Sequence, residues 1–296
     1  MTDKITLGFI GTGKMGKPMV LRLLDAGRSV VVHNRTAAKL EELGAAGARI
    51  AGSPAEVTAN ADIVLLCLTD GVAVEQVVLG AGGIVNNAGE EKLVIDFSSI
   101  LPRDTLRIAQ QLRQKTGMRW IDAPVSGGVS GAQHGRLVIM CGGEKADVER
   151  ARPIFAQLAQ RITHMGPSGC GQVTKLCNQV IVSCNLAVIA EAINLAGIAG
   201  INTERIPEAL QGGFADSLPL QIYGPRMAGG QDAEKIGEIH TMLKDVRNAL
   251  QYAQSLDAPL PMTGAAEEIY QSVANKGYLH TDVENLMRQF DTGKRS

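Results

Sequence analysis

Residues 5–16 read ITLGFIGTGKMG, and the reading of this stretch decides the fold of the first half of the chain. The run Ile5–Gly11 is short and apolar, as a strand buried on both faces is. Gly11, Gly13 and Gly16 follow it, and the residues from Lys14 to Ala26 carry a helical pattern. Glycines at this spacing are common in turns and say little alone. Set between a strand and a helix, they say much more. They permit a tight turn and let the backbone approach a pyrophosphate at the helix N-terminus. Gly11, Thr12, Gly13, Lys14, Met15 and Gly16 are therefore expected to line a dinucleotide, with a purely structural turn as the alternative.

Outward from this loop, short β-rich runs alternate with helical stretches. Strands are expected at 5–11, 29–35, 62–69, 92–98, 120–125 and 137–141, and helices at 14–26, 37–43, 71–79, 103–115 and 145–159. Near-continuous apolar runs such as IVLLCL (63–68) suit a parallel sheet covered on both faces, so the fold class is α/β, a doubly wound (Rossmann) domain. Beyond Met165 the character changes. GPSGCG (166–171) is a turn-rich joint, and after it only helical patterns appear, at 172–199, 203–211, 232–256, 261–276 and 281–290. Pro207, Pro219, Pro225 and Pro259 are read as element starts or loops. The expected organisation is a nucleotide-binding domain over 1–165 and an all-helical substrate and oligomerisation domain over 166–296, joined by a long helix.

The second strand ends VVVHNRT (30–36). A site for NAD usually carries Asp or Glu about 20 residues after the glycines, bonding the adenine ribose hydroxyls. Asn34, Arg35 and Thr36 stand there instead. A carboxylate would repel a 2′-phosphate, whereas a guanidinium pairs with one. NADP(H) is therefore expected over NAD(H). Open α/β sheets bind ligands at the carboxyl ends of their strands, so Leu68, Thr69 and Ser98 should border the same cofactor.

Composition excludes several other functions. The 296 residues carry 29 Lys plus Arg against 30 Asp plus Glu, with no basic block, which argues against nucleic acid or an anionic membrane as partner. The uncharged window 176–190 is shorter than the ~20 residues a bilayer span needs. The five cysteines form no metal-binding spacing, and an odd number does not suit a disulfide framework. They read as packed core thiols, and no signal sequence is visible. A reducing, cytoplasmic setting is expected, with no metal.

GQVTKLCNQ (171–179) heads a stretch whose next charged residue after Lys175 is Glu191. On a helix Lys175, Asn178 and Gln179 share one face. A polar stripe at the start of so apolar a helix is either a helix end emerging into water or a site. DAPVSGGVSGA (122–132) is a second polar cluster, glycine-rich and following a strand. It could present successive N–H groups and the Ser126 hydroxyl to an anion, or be a surface loop.

Taken in order, GFIGTGKMGKPM, DAPVSGG, GQVTKLCNQ and KDVRNAL (244–250) resemble the β-hydroxyacid dehydrogenase family, over about residues 5–290. The family includes 3-hydroxyisobutyrate dehydrogenases and tartronate semialdehyde (2-hydroxy-3-oxopropionate) reductases, and TKLCNQVIV looks closest to the latter. The resemblance implies Lys175 as catalytic acid/base and Asn178 as a substrate-orienting residue. It places a substrate carboxylate on Ser126, Gly127 and Gly128, and makes Lys244 a cofactor-side lysine. It also implies a homo-oligomer, dimer or tetramer, and the 172–199 helix has more apolar surface than one small domain covers. The chain departs from the family at Val246, Arg247 and Gln179, which bears on substrate and cofactor contacts rather than on reaction type. The expected activity is NADPH-dependent reduction of a small semialdehyde to its 3-hydroxyacid. An imine reductase has this architecture but commonly lacks the lysine. A non-catalytic NADP-binding module is the reading from outside enzymology, and the retained lysine and anion loop count against it.

Overall fold

In the computed structural model, which describes residues 5–229 and 235–291, the first unit is a sheet covered on both faces. Its strands are β1 (Thr6–Ile10), β2 (Ser29–His33), β3 (Arg49–Ile50), β4 (Ile63–Leu66), β5 (Leu93–Asp96), β6 (Arg119–Asp122), β7 (Val125–Ser126), β8 (Leu137–Gly142) and β9 (Ala159–Gly166). The order is β3-β2-β1-β4-β5-β6-β8-β7, with β9 on the other side of β8. The first six strands are parallel, and β8 then runs antiparallel to β6 and β7 and parallel to β9.

Successive side chains in a strand point to opposite faces, and here they feed two separate cores. Leu7, Phe9, Val30, Val32, Ile63, Leu65, Leu93 and Ile95 belong to one. Ile10, Val31, Val64, Leu66 and Val94 belong to the other. That is why the strands read as continuous apolar runs: neither face meets water. The chain direction across the sheet reverses between β1 and β4, and the loops after both strands open on the same edge.

The expected helices form, with Gly71–Leu79 matching to the residue. The sheet holds three further strands. β3 is two exposed residues, β7 falls within DAPVSGG, and β9 is an edge strand whose Gln160, Arg161, Thr163 and Met165 are exposed. The helices Pro54–Ala59, Gly128–His134 and Leu218–Gly229 also lie outside the expected set. The signal of the first is plain in the sequence: Ser53 caps it by accepting from the Glu56 N–H at 3.1 Å, and Pro54 occupies the first turn.

The second unit begins at Leu176, and the two divide within the helix Cys170–Ile198, ten residues after the expected boundary at 165. Its core joins Leu186, Ala190 and Ile193 of that helix with Tyr223, Leu243, Tyr270 and Leu286. The 29-residue helix is long and apolar enough by composition to cross a membrane; part of its apolar surface faces this core, and part, including Ile181, Val188 and Leu195, is exposed. Pro225, expected near an element start or in a loop, lies inside the helix Leu218–Gly229. The helix expected at 232–256 spans Ile239–Gln254: 232–234 lie outside the described residues, and 235–238 are not helical. The 281–290 segment is a 3-10 helix, Val283–Phe290.

Candidate active site

The glycine loop is built by two close contacts and one open position. Gly11 has φ +99°, and a Cβ there would lie 2.3 Å from the Cys67 carbonyl oxygen, so only glycine lets the loop pass the end of β4. A Cβ on Gly16 would meet the Gly11 carbonyl at 2.0 Å, which fixes helix Gly16–Asp25 close beneath the turn. Around Gly13 nothing lies within 4 Å. The open position is thus the middle one, where a pyrophosphate would approach the backbone. The Thr12 hydroxyl is buried with no partner among protein groups, as a loop shaped for a further polar group would leave it.

Asn34 closes the loop from β2. Its Oδ1 accepts the Thr12 N–H at 3.2 Å, and its Nδ2 donates to the Thr36 carbonyl at 3.0 Å. Arg35 and Thr36 are exposed beside it. Leu68 and Thr69 follow β4 rather than lying in it, and the Leu68 N–H donates to Ser98 Oγ at 2.9 Å. The strand ends expected to border a cofactor are therefore joined to one another at the carboxyl edge of the sheet.

DAPVSGG is more ordered than a loop. Val125 and Ser126 pair with Ile139 and Val138, and Gly128 starts a short helix, Gly128–His134. Gly127 and Gly128 take φ of +120° and +62° to make the turn between them. Ser126 and Gly128 are half-buried, and Gly127 is exposed.

Two buried carboxylates that the motif reading passed over lie beside these loops. Asp96 and Asp122 close β5 and β6, are neighbours in the register, and are both fully buried. Asp96 accepts the Ser98 N–H at 2.9 Å. Burial pushes its pKa up to about 7, against the hydrogen bonds from Ser98, and the Asp122 charge adds to the rise. Burial also raises Asp122, opposed by N–H bonds from Gly169 and Gln172. A carboxylate ending a short apolar run, LVI before Asp96 and WI before Asp122, is the signal that could have found both.

Lys175 is buried, 8% exposed, in the second turn of helix Cys170–Ile198. Asn178, one turn further, is half-buried and donates to Gln179 Oε1 at 2.7 Å. The polar stripe is thus no helix end emerging into water. Lys244 lies in the helical unit on Ile239–Gln254, 3.2 Å from the Asp245 carboxylate. The two departures near it have local roles: Val246 is fully buried in the core, and Arg247 pairs with Glu267 at 2.9 Å. Among the five cysteines Cys141 is buried but Cys177 is exposed, so the seven-residue spacing of 170, 177 and 184 does not make a packed thiol face. Among the described residues, no group of three or more His, Cys, Asp or Glu could hold a metal ion.

Two family models cover the chain: the NAD-binding domain of 6-phosphogluconate dehydrogenase over residues 6–166, and the NAD-binding domain of NADP-dependent 3-hydroxyisobutyrate dehydrogenase over 169–290. A 2-hydroxy-3-oxopropionate reductase of Escherichia coli (strain K12) is 37% identical over 96% of this chain and 97% of its own length. The chain belongs to the β-hydroxyacid dehydrogenase family. This family member is therefore an NAD(P)-dependent oxidoreductase acting on a CH–OH group. An NAD-dependent L-serine dehydrogenase of Pseudomonas aeruginosa is 31% identical over 96% of this chain and 97% of its own. The solved structure of Mycobacterium tuberculosis 3-hydroxyisobutyrate dehydrogenase with L-serine superposes with a TM-score of 0.88 at 28% identity, covering 97% of this chain and 99% of that one.

Proposed function

We propose that this β-hydroxyacid dehydrogenase reduces a short semialdehyde to its 3-hydroxyacid with NADPH, and that its substrate is 2-hydroxy-3-oxopropionate. The observation that carries the reaction is a lysine, Lys175, buried in the second turn of an otherwise apolar helix. Burying an ammonium is costly, so a chain keeps one where a reaction or a structural partner needs it. The similarity to the E. coli reductase supports the substrate, and Arg35 with no carboxylate beside it at the end of β2 supports the phosphorylated cofactor.

NADPH, when bound, would supply the hydride that the aldehyde carbon needs. Lys175 then has a proton to give: as the ammonium it donates to the oxygen as that oxygen gains charge, and in the oxidative direction the amine takes the proton back. Ser126, Gly127 and Gly128 hold the carboxylate with a hydroxyl and backbone N–H groups, which makes the proton transfer an oriented step. Asn178 and Lys244 carry the substrate-orienting and cofactor-side roles that the family pattern gives them. We also propose a homo-oligomer. Ile181, Val188 and Leu195 recur every seven residues along one face of helix Cys170–Ile198, at 68%, 50% and 68% exposure, and Phe214 is wholly exposed. Light scattering should give a mass above the 31.3 kDa of one chain.

The decisive experiment is Lys175→Ala, assayed by NADPH absorbance with 2-hydroxy-3-oxopropionate, methylmalonate semialdehyde and succinate semialdehyde. Turnover should fall by about 10³-fold or more while NADPH still binds. Undiminished kcat would remove Lys175 from the mechanism. A wild-type enzyme that preferred another of the three aldehydes would correct the substrate and leave the chemistry standing.

A further inference from the structure

The first turn of the Lys175 helix is fastened to the sheet more firmly than a helix start requires. Asp122, at the end of β6, accepts the Gly169 N–H on Oδ1 at 2.7 Å and the Gln172 N–H on Oδ2 at 3.0 Å. The Ser168 hydroxyl adds a longer contact of 3.4 Å to Oδ1. Gln172, 1% exposed, reaches the loop after β5: its Nε2 donates to the Ser98 carbonyl at 2.8 Å, and its Oε1 accepts the Ile100 N–H at 3.3 Å. Two strand ends therefore grip one helical turn through both the backbone and a side chain.

Steric contacts allow the turn no other seat. A Cβ on Gly171 would lie 2.6 Å from the Met140 carbonyl and 2.7 Å from the Asp122 carbonyl. A Cβ on Gly142 would lie 2.7 Å from the Pro167 carbonyl and 2.8 Å from the Gly171 nitrogen. The glycine that opens GQVTK is thus a contact surface. Any side chain there would lift the helix off the sheet.

We infer that Asp122 and Gln172 are positioning residues for Lys175, fixing the rotation and height of the helix's first turn and so the direction in which the amine points. The inference rests on the reading of Lys175 as acid/base. Gln172 and Lys175 are three apart, neighbours on the helix surface, and a helix transmits rotation from one turn to the next without slack. Ser98, which receives Gln172, also receives the Leu68 N–H, so the same fastening is continuous with the loop expected to border the cofactor. Proton transfer tolerates little error, since a misplacement of about 1 Å costs on the order of 10² in rate. Contacts that served only to hold the fold together would not need to converge on the turn before the lysine.

The test uses Gln172→Met, close in volume, and Asp122→Asn, close in shape, in the full chain with and without Lys175→Ala. For each single variant kcat with NADPH and 2-hydroxy-3-oxopropionate should fall by about 10- to 100-fold, with KM for NADPH within about threefold of wild type. In the Lys175→Ala background either substitution should change residual turnover by less than about twofold, because its effect is exerted through an amine no longer there. The second readout needs no turnover: acetylation of Lys175 by acetic anhydride, followed by peptide mass spectrometry across pH. Both variants should move its rate or midpoint while other lysines keep theirs. Equal losses of kcat in both backgrounds, or an unchanged Lys175 acetylation profile, would overturn the inference, as would failure of both variants to fold. A wild type inactive on every short semialdehyde would sink the functional reading instead, and acetylation would still decide this one.

Discussion

The Gln179 side-chain nitrogen donates to one oxygen of Asp245 at 2.6 Å, and the other oxygen of that carboxylate faces Lys244 Nζ at 3.2 Å. With the Asn178 bond to Gln179, a chain of four polar side chains crosses from helix Cys170–Ile198 to helix Ile239–Gln254 inside the helical unit. The Gln179 side chain, one methylene longer than an asparagine, reaches Asp245. Asp245→Ala would leave the buried Gln179 amide without this partner, which costs about 1–3 kcal/mol. Urea unfolding should show that loss, and Gln179→Asn should lose about 1 kcal/mol by the same route. An unchanged unfolding midpoint in both would mean that water replaces the bond without cost.

Arg35→Ala tests the cofactor proposal. The guanidinium is exposed at the end of β2, so its removal disturbs no core contact. Affinity for NADPH should fall about 10-fold or more, with NADH within about twofold, since only one of them carries the 2′-phosphate. A ratio of the two affinities equal to that of wild type would contradict the preference for NADP(H).

Much of this molecule could be read in its sequence, and what could not has physical causes. Apolar runs buried on both faces, as at 63–66 and 93–95, announce themselves because no polar residue interrupts them. β9 does not, because an edge strand with exposed Gln160, Arg161 and Thr163 looks like the polar end of the preceding helix. The glycine loop could be placed because its chemistry is local. Asp96 and Asp122 could be flagged as carboxylates ending apolar runs, but their partners and the role of Gln172 could not be read, because they depend on strands and a helix start that lie dozens of residues apart in sequence. The bonds Asp122–Gln172 and Gln172–Ser98 span 50 and 74 residues.

The glycines of the loop should separate by substitution. Gly11→Ala forces a side chain into a φ of +99° and against the Cys67 carbonyl, so it should destabilise by several times the roughly 1 kcal/mol of an ordinary glycine replacement. Gly13→Ala meets nothing within 4 Å, and its thermal midpoint should equal or slightly exceed that of wild type. Its cofactor affinity should nevertheless drop, because the methyl group occupies the space left for a pyrophosphate. Calorimetric titration with NADPH reads this directly. Full affinity in Gly13→Ala would place the pyrophosphate elsewhere.

Asp96 gives a prediction in pH. Its folded-state pKa is raised to about 7 from an unfolded 3.8, so the native state holds a proton that the unfolded chain has released between those values. Across that window the unfolded state binds fewer protons, and stability therefore falls as pH rises. The penalty is absent below about pH 4, complete above about pH 7, and on the order of a few kcal/mol for a group this buried. Asp96→Asn keeps an oxygen for the Ser98 N–H and never ionises. The variant should therefore unfold at a higher urea concentration than wild type at pH 8, with the gap closing as pH is lowered towards 4.5. A gap of constant size across this range would show that Asp96 stays ionised in the folded protein, held by the Ser98 bonds against the cost of burial.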